Sequence, residues 1–385
     1  MGIIKTKHTS NFLIIQVISK KSQKTKAEIQ ADFEETEQLI NTFGGKLKKT
    51  LTQKLEHPNP KYYIGAGKVA ELKNWCEAQE IDVIIIDGQV KSGQLFRIEK
   101  ELWKVSPTIQ VWDRIDLILN IFDQHATTVE SKLQIKLARA THMGPRIYGL
   151  GITELSRQGG GVGTRGKGET NIEFERRQIK VDQQKIKQEL KKVLKQKHSR
   201  LKKRNQLGIG PVALVGYTSA GKTTLFNALT GKEKEMNKGL FTTLDTVVGK
   251  LKSPNFEQPI LVSDTIGFIS NLPPVLIDSF KSTLFESLEA KLLLHVVDAH
   301  DPHIIDKIIV VEEILQSLKV THPTILVLNK VDLMNEKQLR TVREKISEYY
   351  KTQKNNLIKS SIEISAHKET NLQNLIAEIE TFFIK

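Results

Sequence analysis

Residues 216–223 read Gly-Tyr-Thr-Ser-Ala-Gly-Lys-Thr and follow a short apolar run, Val212–Val215. The spacing is that of a GxxxxGK[ST] phosphate loop, in which glycines let backbone N–H groups wrap around a phosphate chain. The next residues, Thr224-Leu225-Phe226-Asn227-Ala228-Leu229, have a helix-like composition. A strand before the loop and a helix after it are the context that such a loop requires. The stretch therefore predicts a nucleotide-binding α/β domain.

The residues of this loop have expected roles in holding phosphates. Lys222 should reach the β- and γ-phosphates, and the hydroxyl of Thr223 should bind Mg²⁺. The positive end of the following helix should face the phosphates. The phosphate-binding residues expected from the sequence are Gly216, Tyr217, Thr218, Ser219, Ala220, Gly221, Lys222, Thr223 and Thr224.

A second motif, Asp264-Thr265-Ile266-Gly267, directly follows the apolar run Leu261-Val262-Ser263. Its aspartate is expected at a strand end, where its carboxylate reaches the water shell of Mg²⁺. Gly267 can give its N–H to a γ-phosphate because no Cβ blocks the approach. The motif falls 41 residues after Thr223, which strengthens an otherwise weak pattern.

Between these two motifs lies Phe241-Thr242-Thr243-Leu244-Asp245. GTPase switches need a threonine here whose hydroxyl joins Mg²⁺ only while the γ-phosphate is present. We assign that role to Thr243, with Thr242 as the alternative. The expected metal ligands are thus Thr223, Thr243 and Asp264, and the expected catalytic residues are Lys222, Thr243 and Gly267.

A third motif, Asn329-Lys330-Val331-Asp332, follows a buried strand and selects the base. The carboxylate of Asp332 can accept hydrogen bonds from N1–H and the 2-amino group of guanine. Adenine offers neither donor, so ATP would leave this carboxylate unpaired. Ser365-Ala366-His367, after the last strand, can place a backbone N–H at guanine O6. The ordered set of motifs predicts GTP as substrate.

The patterns along the chain predict three regions of an α/β protein. Residues 1–155 alternate strands and helices and form a small α/β domain. Residues 156–204 form a glycine-rich loop and a basic helical linker, and residues 205–385 form a doubly wound P-loop GTPase domain with a mainly parallel sheet. The clearest elements are strands at 12–18, 83–86, 212–215, 260–263, 292–297, 325–328 and 362–364, helices at 25–40 and 372–383, and one or two helices within 113–140.

The overall composition is that of a soluble protein in a reducing compartment. The chain has 385 residues, of which 39% are hydrophobic and 26% charged. A single cysteine, Cys76, excludes an internal disulfide framework and is most simply a packed thiol of the cytoplasm. No apolar run approaches the roughly 20 residues that span a bilayer, so stable membrane insertion is not expected.

The positive charge of the chain is concentrated in one segment. The net charge is +14, and Arg176–Arg204 alone holds 13 Lys or Arg against two acids. Isoleucine or valine recurs every seven residues from Ile172 to Val193 without a second apolar series. This spacing predicts one long helix, or a hairpin, rather than a coiled coil. Such a basic stripe attracts phosphate backbones, although a solvated helix face is the alternative.

With these motifs in place, the chain resembles the HflX family of ribosome-associated GTPases. The most specific match is the glycine cluster Gly160-Gly161-Val162-Gly163-Thr164-Arg165-Gly166, which Gly168-Glu169-Thr170 and Arg176-Arg177 follow. Further matches are Tyr63-Ile64-Gly65-Ala66-Gly67-Lys68-Val69, Asp113-Arg114-Ile115, Ser131-Lys132-Leu133-Gln134 and Gly267-Phe268-Ile269.

The resemblance implies binding to the large ribosomal subunit and GTP hydrolysis that this contact stimulates. It further implies a role in ribosome dissociation, rescue or assembly. Contact with ribosomal RNA is expected through Arg165, Lys167, Arg176 and Arg177, and the chain is expected to act as a monomer in the cytoplasm.

The chain departs from the family pattern at two positions, and one residue within the family match bears on the rate of hydrolysis. Ser219 stands where relatives usually carry an asparagine that helps to hold K⁺, so activation by K⁺ is left open. Lys167 replaces a usual proline in the glycine cluster. Phe268 occupies the place where many GTPases carry the glutamine that orients the attacking water. A phenyl ring cannot orient water, so we expect slow intrinsic hydrolysis that a partner accelerates.

Two other functions remain open from the sequence. Gly65-Ala66-Gly67-Lys68 is a glycine-lysine segment that would serve an ATP-dependent RNA-remodelling activity of the amino-terminal domain. It lacks the spacing of a phosphate loop, and the alternative is a turn that caps a helix starting near Val69. The third class is a ribosome scaffold that binds GTP without useful turnover.

Overall fold

The structure is a computed structural model of the chain. It describes residues 9–21, 25–78, 80–88, 90–142, 171–206, 211–232, 240–241, 246–253, 259–270, 273–280, 290–353 and 357–384. The chain packs into two compact units, residues 1–124 with 133–190 and residues 125–132 with 191–385. Each unit is built around its own sheet.

The first unit contains a four-stranded, fully parallel sheet in the order β2-β1-β3-β4. Its strands are β1 Asn11–Ser19, β2 Lys46–Leu55, β3 Val83–Asp87 and β4 Gln110–Asp113. The helices are α1 Lys26–Phe43, α2 Ala66–Ala78, α3 Ser92–Leu102, α4 Arg114–His125 and α5 Val129–His142, whose first turn belongs to the second unit. The predicted strands near 12–18 and 83–86 are confirmed, and these largely apolar runs occupy the two central strands.

The edge strand β2 is absent from the sequence prediction. Its sequence, Lys-Leu-Lys-Lys-Thr-Leu-Thr-Gln-Lys-Leu, carries four lysines and only three apolar residues. A strand that borders solvent can keep such lysines exposed, and they discourage pairing with another chain. Local sequence pattern therefore did not distinguish this strand from a loop.

Capping side chains set the ends of the first-unit helices. Thr25 and Glu28 form a reciprocal capping box at the start of α1, and Gly44 ends that helix in the left-handed conformation, with φ 89°. At α4, the N–H of Asp116 donates to Asp113 Oδ1 at 2.9 Å, and the N–H of Asp113 donates to Asp116 Oδ2 at 3.3 Å. His142 Nε2 lies 2.9 Å from Asp113 Oδ2. This buried cluster fixes the start of α4 against the end of α5.

The single cysteine lies on α2, half-buried against the core of the first unit. Burial raises the pKa of the Cys76 thiol to about 11. A thiol with so high a pKa stays protonated at neutral pH, as a packed cysteine does.

The basic segment forms one continuous helix, α6 Asn171–Gln206, so the single-helix alternative is confirmed over the hairpin. Ile179, Ile186 and Leu190 are partly or fully shielded from solvent. Gln183 Nε2 donates to the carbonyl of Ala140 at 3.0 Å, and Lys197 pairs with Glu130 at 3.1 Å. The exposed side carries lysines at positions 180, 185, 187, 191, 192 and 195.

The second unit contains a six-stranded sheet in the order β10-β9-β8-β5-β7-β6. Its strands are β5 Pro211–Val215, β6 Val247–Lys250, β7 Leu261–Asp264, β8 Leu292–Asp298, β9 Thr324–Asn329 and β10 Ile358–Glu363. The helices are α7 Lys222–Thr230, α8 Pro274–Phe280, α9 Ile304–Ser317, α10 Glu336–Thr352 and α11 Leu372–Ile384. All neighbouring strands are parallel except β6, which runs antiparallel to β7.

The predicted doubly wound sheet is thus confirmed, with one short edge strand, β6, that the sequence did not indicate. The phosphate loop leaves the central strand β5. Asp264, Asn329 and Ser365 lie at or just beyond the carboxyl ends of β7, β9 and β10. Parallel strands bring these ends to one edge of the sheet, where ligands of such folds bind. Among the described helices, none has the length and apolar character needed to cross a bilayer.

Candidate nucleotide site

Two glycines shape the phosphate loop, and neither position tolerates a side chain. Gly216 has φ 150°, and a Cβ added there would overlap the carbonyl oxygen of Val296. Gly221 has φ 93°, and a Cβ there would overlap the side-chain nitrogen of Asn329. Ser219, between them, adopts a left-handed φ of 61° and is exposed. The loop is therefore pressed against β8 and against the base-recognition motif.

The loop lysine is buried and turned back onto its own loop. Lys222 is 6% exposed, and its Nζ donates to the carbonyls of Gly216 and Tyr217 at 2.9 and 2.7 Å. Burial lowers the pKa of this ammonium to about 8, and the nearby carboxylate of Asp264 partly offsets the shift. Thr224 follows in the first turn of α7, whose N-terminus faces the loop.

Two of the three expected metal ligands meet at the sheet edge. Thr223 Oγ1 donates to Asp264 Oδ2 at 2.9 Å, and Asp264 is fully buried. A hydroxyl and a carboxylate are hard oxygen donors of the kind that Mg²⁺ prefers, so these residues fit the expected ion. Thr243 lies outside the described residues, as do Thr242, Leu244 and Asp245. Phe241 is described and is buried.

The motif after Asp264 packs onto the phosphate loop. Thr265 Oγ1 donates to the carbonyl of Leu214 at 2.6 Å, and Ile266 is buried. A Cβ added at Gly267 would lie 2.8 Å from Thr218 Cγ2 and 3.1 Å from Lys222 Nζ. Gly267 therefore sits beside the loop lysine, where a larger residue would press on Thr218 and Lys222.

Asn329 joins the phosphate loop to the Ser365–His367 segment. Its Nδ2 donates to the carbonyl of Ala220 at 2.9 Å, and its Oδ1 accepts the N–H of Ala366 at 2.9 Å. The side chain is 2% exposed. One buried amide therefore sets the spacing between the part of the site expected to hold phosphates and the part expected to hold the base.

The acid expected to bind guanine is held in its charged form. The hydrogen bond from the Ser365 side chain is the main cause that lowers the pKa of Asp332, and Lys368 and His367 contribute to the same shift. Ser365 is fully buried, and its Oγ accepts the N–H of Lys368 at 3.1 Å, which leaves its own proton for Asp332. Val331 donates its N–H to the carbonyl of Ile364, and His367 is exposed.

Three further residues of this site were missed by the sequence reasoning. Asp298, at the end of β8, pairs with Lys330 at 2.6 Å and orients the lysine of the base-recognition motif. It ends an apolar run just as Asp264 does, so the same signal was present. His295 is buried in β8, where burial and the charge of Lys222 lower its pKa to about 3. Ser270 donates its N–H to the Tyr217 hydroxyl at 2.6 Å, a contact without any sequence signal.

The glycine-lysine segment of the first unit has a different arrangement from a phosphate loop. The helix α2 begins at Ala66, three residues before the expected start near Val69. The N–H of Gly65 donates to Gln53 Oε1 at 2.9 Å, and Lys68 pairs with Glu71 at 2.6 Å. The donor and the cation that a phosphate would need are thus engaged within the protein.

The residues expected to contact RNA are only partly described. Arg165 and Lys167 lie outside the described residues, and the side chain of Arg176 does as well. Arg177 is exposed on α6.

Comparison with known proteins identifies the family. The chain matches the family models described as "GTP-binding GTPase N-terminal" over residues 30–123, "GTP-binding GTPase Middle Region" over 125–204, and "50S ribosome-binding GTPase" over 211–330. It is 41% identical to the GTPase HflX of Caldanaerobacter subterraneus subsp. tengcongensis over 80% of this chain and 70% of that protein. Identity to the GTPase HflX of Flavobacterium psychrophilum is 40%, over 85% of this chain and 77% of that protein.

The solved structures include a match along nearly the whole chain. The crystal structure of SsGBP in complex with GDP covers 98% of this chain and 99% of its own, at 28% identity and a TM-score of 0.51. The match spans both units, and that structure holds GDP, a guanine nucleotide as is the GTP that the motifs here predict. The chain therefore belongs to the HflX family of GTPases and binds guanine nucleotides.

Proposed function

We propose that this GTPase acts on the ribosome. It hydrolyses GTP when its basic helix meets RNA of the large subunit, and it thereby promotes ribosome dissociation, rescue or assembly. The observation that carries the proposal is a nucleotide site in the same chain as a long helix whose exposed face is lined with lysines. The match of residues 211–330 to a family described as ribosome-binding supports it.

The nucleotide half of this function follows from the site. Thr223 and Asp264, with Thr243, would hold Mg²⁺, which neutralises charge that develops on the phosphates. Lys222 leaves the loop carbonyls and turns to the β- and γ-phosphates when GTP binds. Gly267 gives its N–H to the γ-phosphate, and Asp332 receives the guanine edge.

Slow hydrolysis in the absence of the ribosome follows from Phe268. The ring is 1% exposed, and the N–H and carbonyl of this residue bond to the phosphate loop. No polar side chain at this position can therefore orient the attacking water. Contact with the ribosome would order the switch segments of the GTPase. In related GTPases, a partner that does this raises the hydrolysis rate by several orders of magnitude.

RNA binding is assigned to the exposed face of α6 and to Arg165, Lys167, Arg176 and Arg177. Exposed lysines that neutralise phosphates release counterions, so binding should weaken steeply as salt rises. Ser219 offers a hydroxyl in place of the usual amide, so activation by K⁺ stays open, and comparing the hydrolysis rates in K⁺ and in Na⁺ decides it.

The test measures hydrolysis of GTP and of ATP with and without isolated large subunits, for the wild type and for Lys222→Ala. The proposal requires stimulation of GTP hydrolysis that the variant loses. Stimulation of ATP hydrolysis alone would favour RNA remodelling by the first unit, and undetectable GTP hydrolysis with subunits would favour a scaffold.

A charge-reversal pair tests the RNA surface. Lys191, Lys192 and Lys195, all exposed on α6, are changed together to Glu. The matched control changes Lys337, Lys345 and Lys351, all exposed on α10, in the same way. We expect the α6 variant to lose affinity for the large subunit. The slope of log affinity against log salt concentration should become shallower by about three, one for each lysine replaced. Equal losses in both variants would indicate a general charge effect and contradict the assignment.

A further inference from the structure

The segment that follows Gly267 lies alongside the phosphate loop as a short parallel bridge. The N–H of Phe268 donates to the carbonyl of Gly216 at 3.1 Å, and the N–H of Thr218 donates to the carbonyl of Phe268 at 2.7 Å. Both bonds join backbone atoms, so any sequence with this backbone would make them.

Tyr217 adds a side-chain bond to this bridge. The N–H of Ser270 donates to the Tyr217 hydroxyl at 2.6 Å. The ring is 8% exposed, and Lys307 Nζ lies 4.9 Å from its centroid. Lys307 is itself paired with Asp301. The ring is thus held by α9 from one side, and its hydroxyl has a fixed place at Ser270.

The bridge determines where Gly267 stands. Gly267 directly precedes Phe268, and a Cβ added to it would be 3.1 Å from Lys222 Nζ. The N–H expected to meet a γ-phosphate is therefore held next to the lysine expected to meet the same group. The two groups expected to contact a γ-phosphate, the N–H of Gly267 and the ammonium of Lys222, are therefore close together before GTP binds. GDP lacks a γ-phosphate and would not contact the N–H of Gly267.

We propose that Tyr217 is a positioning residue for the γ-phosphate: its hydroxyl keeps residues 268–270 docked on the phosphate loop and so favours GTP over GDP. The proposal rests on the nucleotide site proposed above. When the docked form is less populated, apparent affinity falls in proportion to its population, but only for ligands that need that form. The side chain thus acts through Gly267 and does not itself touch the nucleotide.

Packing alone is the competing explanation, since a buried tyrosine also fills space. Tyr217→Phe separates the two roles because it keeps the ring and its contact with Lys307 and removes only the acceptor for Ser270. The matched control is Tyr350→Phe, which removes a hydroxyl that donates to Glu312 Oε1 at 2.7 Å, between α10 and α9.

The experiment measures equilibrium binding of GDP and of the non-hydrolysable analogue GppNHp, with Mg²⁺, to the wild type and to both variants. We expect Tyr217→Phe to weaken GppNHp binding by up to about fivefold, the value of one ordinary hydrogen bond, and to leave GDP binding unchanged. In steady state, KM for GTP should rise with kcat retained. Tyr350→Phe should change neither affinity.

Two results would overturn the proposal: equal weakening of GDP and GppNHp by Tyr217→Phe, or no weakening of either. Both are distinguishable from failure of the proposed nucleotide site, because in that case the wild type would bind neither nucleotide.

Discussion

Thr223, in the first turn of α7, meets Asp264, at the carboxyl end of β7, where the threonine hydroxyl donates to the carboxylate at 2.9 Å. The two residues are 41 positions apart in the sequence and come together because β5 and β7 are hydrogen-bonded neighbours. These two groups would hold Mg²⁺: the threonine oxygen keeps lone pairs for the ion while its proton is donated to the carboxylate, and the carboxylate would face the ion's water shell.

Asp264→Asn should weaken Mg²⁺ binding while the fold stays intact, since the amide is isosteric but uncharged. We expect the Mg²⁺ concentration for half-maximal GTP hydrolysis to rise about 10–100-fold, as for loss of an outer-shell ligand. A magnesium titration of the GTPase rate measures it. GDP binding without Mg²⁺ serves as the control and should change little. An unaltered magnesium midpoint would remove Asp264 from the site.

Asp332→Asn should change the base that the protein accepts. An asparagine can accept from N1–H of xanthine and donate to its 2-oxo group, whereas guanine presents two donors. GTP affinity should fall by at least about 100-fold and XTP affinity should rise, so that the preference reverses. Competition binding with both nucleotides tests this. Because tight XTP binding shows an intact site, a variant that still prefers GTP would contradict the role of Asp332.

Nucleotide affinity should depend on pH through Lys222, whose pKa burial lowers to about 8. Below that pH the lysine is already protonated and can meet the phosphates directly. Above it, binding must take up a proton, so affinity should fall by as much as about tenfold per pH unit. Calorimetry of GDP binding between about pH 7 and 9, in buffers of different ionisation enthalpy, measures the uptake. Lys222→Met should abolish the proton uptake, and a wild type without it would contradict the prediction.

Phe268→Gln should destabilise the protein without creating a fast GTPase. The ring is 1% exposed, so the change removes a large core side chain and buries an amide. We expect a loss of about 3 kcal/mol in the free energy of unfolding and no gain in the intrinsic hydrolysis rate. Phe268→Leu, the packing control, should cost less than about 1.5 kcal/mol. Faster intrinsic hydrolysis in the glutamine variant would show that the position faces the water after all.

Much of the fold was predictable because its central strands are buried on both faces. The continuous apolar runs at Ile84–Ile86, Val212–Val215 and Ile325–Leu328 leave little choice but a parallel sheet core. Edge strands are not buried on both faces, so their sequences need not be continuously apolar. β2 is rich in lysine and β6 reads Val-Val-Gly-Lys, so the composition of neither strand distinguishes it from a loop.

The candidate site divides in the same way. Glycine spacing, the lysine and the aspartates at strand ends identified a guanine-nucleotide site, because each part needs a particular residue type next to a strand. The same reasoning missed Asp298, and it gave Tyr217 no role beyond membership of the loop. Its hydroxyl meets Ser270, which is 53 residues away.

The sequence by itself determined the chemistry: a phosphate loop, an expected set of metal ligands, a carboxylate for guanine and a basic helix. These features depend on residue type and on short spacing between residues, both of which can be read from the local sequence. Only the tertiary structure decided which groups hold one another. Asn329 joins Ala220 to Ala366 and the hydroxyl of Tyr217 holds Ser270, because strand order and the turn of the loop bring distant backbone groups within hydrogen-bonding distance.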